Sequence, residues 1–93
     1  MIGFAQCEFR IYHSQSLKDK RSVVKRVLTR AKQKFNVSIA EVAHQDVWQR
    51  TGIAIVTVAA ARKRAERELE ETIEFLDSFP EWERIGGTHY EWL

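Results

Sequence analysis

Hydrophobic and polar residues alternate over the first stretch of the chain. In IGFAQCEFRIY, residues 2–12, Ala5, Cys7, Phe9 and Ile11 fall on one side, and Gln6, Glu8, Arg10 and Tyr12 on the other. A period of two predicts a strand with one buried face. Ile2 and Phe4 depart from the pattern by putting apolar groups on the polar side. After His13-Ser14-Gln15 the period changes. At 100° per residue, Leu17, Val24, Leu28, Ala31 and Phe35 fall within roughly 60° of one another, the stripe of a core-facing helix over 16–35. Ser16 and Asp19 stand at the spacing of a capping box, and Asn36 is the expected C-cap.

The period then returns to two. NVSIAEVA, residues 36–43, predicts a second strand, with Val37 and Ile39 on one face and Ala40 and Val42 on the other. TGIAIVTVA, residues 51–59, is apolar on both faces, as a central strand is. A second helix is expected over 61–78, with Ala65, Leu69, Ile73 and Leu76 on its buried face and Pro80 just beyond its end. It lacks a capping residue, and Arg62, Lys63 and Arg64 crowd its first turn against the helix dipole. ERIGGTHYEW, residues 83–92, predicts a last strand, with a bulge or irregular edge at Gly86-Gly87. The order β-α-β-β-α-β with right-handed crossovers predicts an α+β, ferredoxin-like fold. The sheet is expected to be antiparallel with strand order 4-1-3-2 and both helices on one face. The 93 residues suit one domain spanning 1–93.

Charge changes the picture of the first helix. Lys18, Lys20, Arg21, Lys25, Arg26, Arg30, Lys32 and Lys34 are opposed within it by Asp19 alone. Lys18, Arg21, Lys25 and Lys32 share a sector about 60° wide. Three readings stand: a solvated face, an anion-binding face, or a face neutralised by an acidic surface of the same chain. The net charge of +2 conceals an asymmetry. Residues 1–65 hold 13 Lys/Arg and 4 Asp/Glu, or +9; residues 66–93 hold 2 and 9, or −7. A chain so polarised can bind an anionic partner or pair with itself head to tail.

Composition narrows the remaining classes. No apolar run approaches a membrane span, and the start MIGFAQCEF has no basic n-region, so neither a membrane segment nor a signal peptide is expected. Cys7 is the sole cysteine; it reads as a small buried hydrophobe and leaves no intrachain disulfide or cysteine zinc site. These features predict a cytoplasmic protein. His13, His44 and His89 are far apart in sequence, and no phosphate loop or nucleophile–base arrangement is evident. No metal, cofactor, small-molecule substrate or catalytic activity is expected.

Three blocks resemble the YlxP-like family of small bacterial proteins. They are Gln15-Ser16-Leu17-Lys18-Asp19-Lys20-Arg21, Phe35-Asn36-Val37-Ser38-Ile39-Ala40-Glu41-Val42 and Gln45-Asp46-Val47-Trp48-Gln49-Arg50. The resemblance runs over nearly the whole chain and implies the ferredoxin-like fold. It implies no activity, because the family is a domain of unknown function. Its members are often encoded beside translation-initiation and ribosome-maturation genes, which suggests by association a role near RNA or the ribosome.

RNA-recognition motifs share this fold and stack bases on aromatics of strands 1 and 3. The third strand here has no aromatic residue, so nucleic acid would meet the basic helix and nearby loops instead. Lys18, Arg21, Lys25 and Lys32, with Arg50, are the candidate nucleic-acid-binding residues. Gln45, Asp46, Trp48, Gln49 and Arg50 form a second candidate site. Either they are a partner-binding loop anchored by Trp48, or a hairpin connection whose Trp covers the core and whose Asp46 fixes the turn or pairs Arg50. The functional expectation is non-catalytic association with RNA or the ribosome. The alternative is a homodimeric protein-interaction module, because Ile2, Phe4 and one side of strands 2 and 3 leave an open apolar face.

Overall fold

The computed structural model covers residues 1–93. Its elements are β1 (Ile2–Ile11), α1 (Leu17–Lys34), β2 (Ser38–Ala43), β3 (Arg50–Val58), α2 (Arg62–Asp77) and β4 (Trp82–Trp92). All three strand pairings are antiparallel, and the sheet runs β2-β3-β1-β4. This is the strand order the pattern predicts, with β1 and β3 in the centre.

The alternation in β1 decides which face the helices cover. Ala5, Cys7, Phe9 and Ile11 are buried, and they share one cluster with Ile39, Ile53 and Ile55 of the sheet. Val24, Val27, Leu28 and Ala31 of α1 and Leu69, Ile73 and Leu76 of α2 complete that cluster. Both helices therefore lie on the same side of the sheet. Trp82 closes one end of the core, stacked on Phe9 at 4.2 Å, with its indole N–H donating to the Leu76 carbonyl at 2.7 Å. Leu17, assigned to the core stripe by periodicity, is only partly buried at the helix start, whereas Val27 is fully buried.

The start of α1 follows its sequence signal. The Ser16 hydroxyl accepts from the Asp19 N–H at 3.0 Å. Asp19 returns a bond to the N–H of Gln15 at 3.2 Å, one residue earlier than in a standard capping box. The C-terminus differs from expectation. Phe35 is the cap, its N–H bonding to the Ala31 carbonyl, so Asn36 does not end the helix. Asn36 instead bridges to β3: its side-chain amide donates to the Val58 carbonyl at 3.3 Å, and its carbonyl accepts from the Thr57 hydroxyl at 2.6 Å. The second helix starts at Ala61 with no side-chain cap, as its sequence foretells.

Gly86 has φ +69, and the β1–β4 register shifts between Gln6 and Glu8. The expected irregularity at Gly86-Gly87 is thus present. A second shift falls between Glu41 and Ala43, where Gly52 passes β2. A Cβ on Gly52 would stand 2.7 Å from that of Ala43, so the close approach at this bulge requires glycine.

Candidate nucleic-acid interface

The periodicity of α1 and its contacts together divide the helix into flanks. Arg26, Arg30 and Lys34 lie toward α2. Arg26 pairs with Glu81, the Arg30 guanidinium stands 5.9 Å from the Phe79 ring, and the Lys34 ammonium stands 4.9 Å from that of Phe75. The Arg26 partner holds the Glu81 carboxyl below its ordinary range. Lys18, Arg21, Lys25 and Lys32 lie roughly 150° further round the helix. All four are exposed, and none has an ion-pair partner. The acidic C-terminal third reaches α1 through Glu81 on the near flank. It does not neutralise the far one.

Lys20 is a correction to the basic face. It is fully buried, with its ammonium 2.8 Å from a Glu41 carboxylate oxygen and donating to the His44 carbonyl. Glu41 also accepts from the Thr51 hydroxyl at 2.6 Å. The signal was present in the sequence. Lys20 lies 40° from Val24 and 20° from Val27 on the helix, inside the apolar stripe. Glu41 likewise shares strand parity with Val37 and Ile39, on the buried face.

That buried pair ties the start of α1 to the segment 44–50. Two further bonds hold the same segment to the end of β1 and to the connection that follows it. The Gln49 amide donates to the Ser14 carbonyl at 3.2 Å, and the Ile11 N–H donates to the Gln49 carbonyl at 3.0 Å. His44 adopts φ 60, uncommon for a residue with a side chain. It is held there through its carbonyl, which also accepts from the Val47 N–H at 3.1 Å, and through its ring, which pairs with Glu8. A backbone fixed from several directions this way is a shaped loop.

Within the loop, Gln45 and Asp46 are exposed. Asp46 makes no ion pair, so the reading in which it pairs with Arg50 is corrected: Arg50 lies 3.6 Å from Glu8 instead. Nor does Trp48 cover the core. It is 50% exposed and stacks on no other ring. Arg50 stands directly opposite Arg10 on β1, a cation outside both candidate sites. Like charges across neighbouring strands repel. Glu83, opposite Arg10 on its other side, is taken by the Tyr12 hydroxyl, and Arg10 has no ion pair. Binding that carboxylate raises the Tyr12 phenol above its ordinary 10.0.

The other chemically capable groups lie apart from this surface. His89 pairs with Glu91 on the edge strand β4, and His13 stands beside Tyr12. Asp77 and Arg84 form a two-pronged pair, both contacts at 3.0 Å, joining the end of α2 to β4. Burial pushes the Cys7 thiol up to about 11, a charge from Arg84 opposing the rise, so Cys7 is a neutral thiol at ordinary pH. No helix is long and apolar enough to cross a membrane.

These features define a small α+β domain with one helix-covered sheet face, one open face and a cationic helix flank. The family described as "Protein of unknown function (DUF503)" matches residues 2–88, and the chain belongs to that family. It is 54% identical over 93 residues to "Uncharacterized protein YlxP" of Bacillus subtilis (strain 168), covering 100% of both chains. The resemblance to YlxP-like proteins drawn from the three sequence blocks is thereby established. Among solved structures it is similar to "Structure of the REP associates tyrosine transposase bound to a REP hairpin", with a TM-score of 0.45 and 11% identity. That match covers 97% of this chain and 54% of the other, so the chain spans about half the transposase's length.

Proposed function

We propose that this is a cytoplasmic, non-catalytic, ferredoxin-like protein that binds the phosphate backbone of structured RNA, ribosomal RNA included, through the far flank of α1. One observation carries the reading: Lys18, Arg21, Lys25 and Lys32 are exposed together with no acidic partner. Unpaired cations aligned on one flank gain affinity for phosphates by releasing condensed counterions, without reading sequence. Lys18 and Lys32 are 14 residues apart, so the track is about 21 Å long at 1.5 Å per residue. Arg50 lies outside this track: it stands with Arg10 on the open sheet face and is paired with Glu8.

The test is binding to structured RNA and to ribosomal subunits across a salt series. Four phosphate contacts at about 0.9 per contact predict a slope of log K against log salt near −3.6. A folded variant with Lys18, Arg21, Lys25 and Lys32 reversed to Glu binds weakly and with a shallower slope. Equal binding by both proteins, or no binding at low salt, refutes the reading.

A second reading, a homodimeric protein-interaction module, is favoured by the open sheet face. Ile2, Val42 and Val58 are 39%, 44% and 61% exposed there. A second copy laid sheet on sheet would bury them. Sedimentation equilibrium distinguishes the readings: a monomer at micromolar concentration removes this one.

A further inference from the structure

The basic flank and the loop 44–50 meet at one end of the molecule. Lys20 sits between Lys18 and Arg21 in sequence, and its buried ammonium holds the His44 carbonyl. The loop is therefore moored at the start of α1, beside Lys18 and Arg21, two of the four unpaired cations on that helix. On the loop's other side Arg50 faces Arg10 across the β1–β3 ladder. Lys18 and Arg21 in the helix layer and Arg10 and Arg50 on the open sheet face thus lie on either side of the sheet end from which the loop projects. Only Glu8 opposes them with an ion pair, to Arg50, and that carboxylate is shared with His44.

Trp48 stands in this setting with half its surface in water, no stacked neighbour and no hydrogen bond from its indole N–H. Val47 beside it is 43% exposed. Folding gains little from leaving a Trp so placed, whereas an unpaired base offers it a flat apolar face. The loop is also held from several directions, so presenting the ring costs little ordering on binding.

We infer that Trp48 is a stacking platform for an unpaired base, and that the RNA taken by this protein carries single-stranded nucleotides next to a structured segment. The inference rests on the RNA reading above and narrows its substrate class. Phosphates along α1 supply sequence-independent affinity. Trp48 supplies a preference for unstacked bases, and Arg10 and Arg50 hold the phosphates on either side of the stacked nucleotide. A bound phosphate would also relieve the Arg10–Arg50 repulsion, which nothing in the protein itself relieves in full.

The experiment compares a blunt RNA duplex with the same duplex bearing a short single-stranded overhang, by fluorescence anisotropy of labelled RNA at two salt concentrations. The wild type is expected to prefer the overhang by about tenfold, the scale of one base–aromatic stack. Trp48→Ala loses the preference while keeping its duplex affinity and salt slope. Trp48→Phe retains most of it. Trp48 is exposed and unbonded, so both variants fold, and their thermal melts serve as the check. Equal wild-type affinity for the two RNAs, or an undiminished preference in Trp48→Ala, overturns this inference and leaves phosphate binding by α1 standing. Absence of binding to either RNA overturns both.

Discussion

Lys20 is the side chain whose removal best tests whether the segment 44–50 is moored to the start of α1. Replacing it with Met keeps the apolar stem and deletes the ammonium. Two interactions go with it: the ion pair to Glu41 at 2.8 Å and the bond to the His44 carbonyl. Removing one partner of a buried ion pair costs about 3–5 kcal/mol, because the other charge is left uncompensated. Glu41 is 18% exposed and keeps the Thr51 hydroxyl at 2.6 Å, so the lower end applies, about 3 kcal/mol. A domain of 93 residues holds roughly 5–14 kcal/mol in all. The loss is thus a large share of it, equivalent to a fall in Tm of roughly 12–24 °C. Urea denaturation followed by circular dichroism reads the change, with m unaltered. The companion variant Lys20→Met/Glu41→Gln removes the stranded charge and keeps an acceptor for Thr51. It should recover part of the stability lost by the single change. A loss below about 1 kcal/mol for Lys20→Met, or a double variant no more stable than the single, would refute the mooring role given to this pair.

Gly52→Ala drives a Cβ to 2.7 Å from that of Ala43, where backbone must yield, and is expected to cost about 1–3 kcal/mol by chemical denaturation. Gly86→Ala meets no atom but forces φ +69 on a side-chain-bearing residue; about 1 kcal/mol is expected, whereas Gly87→Ala, without that φ and with open space, should be close to neutral. Cys7 gives a pH signature. Its folded pKa of about 11 lies above its ordinary 9.0, so its contribution to stability is complete below pH 9 and is lost as pH rises toward 11. The loss amounts to about 1 kcal/mol at pH 10, and Cys7→Ala should flatten the stability curve over that window.

The fold was legible because each element has a period that only one backbone geometry satisfies. Ala5, Cys7, Phe9 and Ile11 can share a face only in a strand, and Val24, Leu28 and Ala31 only in a helix. Strand order followed from the crossover rule and from the two-sided apolarity of β3. The site was less legible, because polar residues have no period to obey. Charge alone groups Lys20 with the exposed lysines, although its helical angle lies inside the apolar stripe. Arg10 carries no local signal, because its neighbour Arg50 lies 40 residues away and only the strand register brings the two opposite each other. Asn36 shows the same limit at a helix end. Its type suits a cap, but the β3 groups it bonds are 21 and 22 residues distant.

The net charge of +2 argues against nucleic-acid binding only if the whole chain acts as one charge. The arrangement of ion pairs says otherwise. Among the acids of residues 66–93, Glu66 pairs with Arg62, Asp77 with Arg84 and Glu91 with His89, and Glu81 alone reaches α1. Packed helix axes lie about 8–10 Å apart, and the flank of Lys18, Arg21, Lys25 and Lys32 is on the far side of α1 from α2. The separation exceeds the screening length of about 8 Å at physiological ionic strength. The field that a phosphate meets is therefore set by the flank itself. Glu70 and Glu74 of α2 are exposed and make no ion pair, so replacing both with Gln raises the net charge from +2 to +4 at little structural cost. RNA affinity and salt slope should stay at their wild-type values. Arg21→Gln and Lys25→Gln together lower the net charge from +2 to 0, an equal change of opposite sign. That pair should cost affinity and shorten the slope by about 1.8, two contacts at about 0.9 each. If the two double variants instead move affinity by equal and opposite amounts, overall charge governs the binding and the flank has no special part in it.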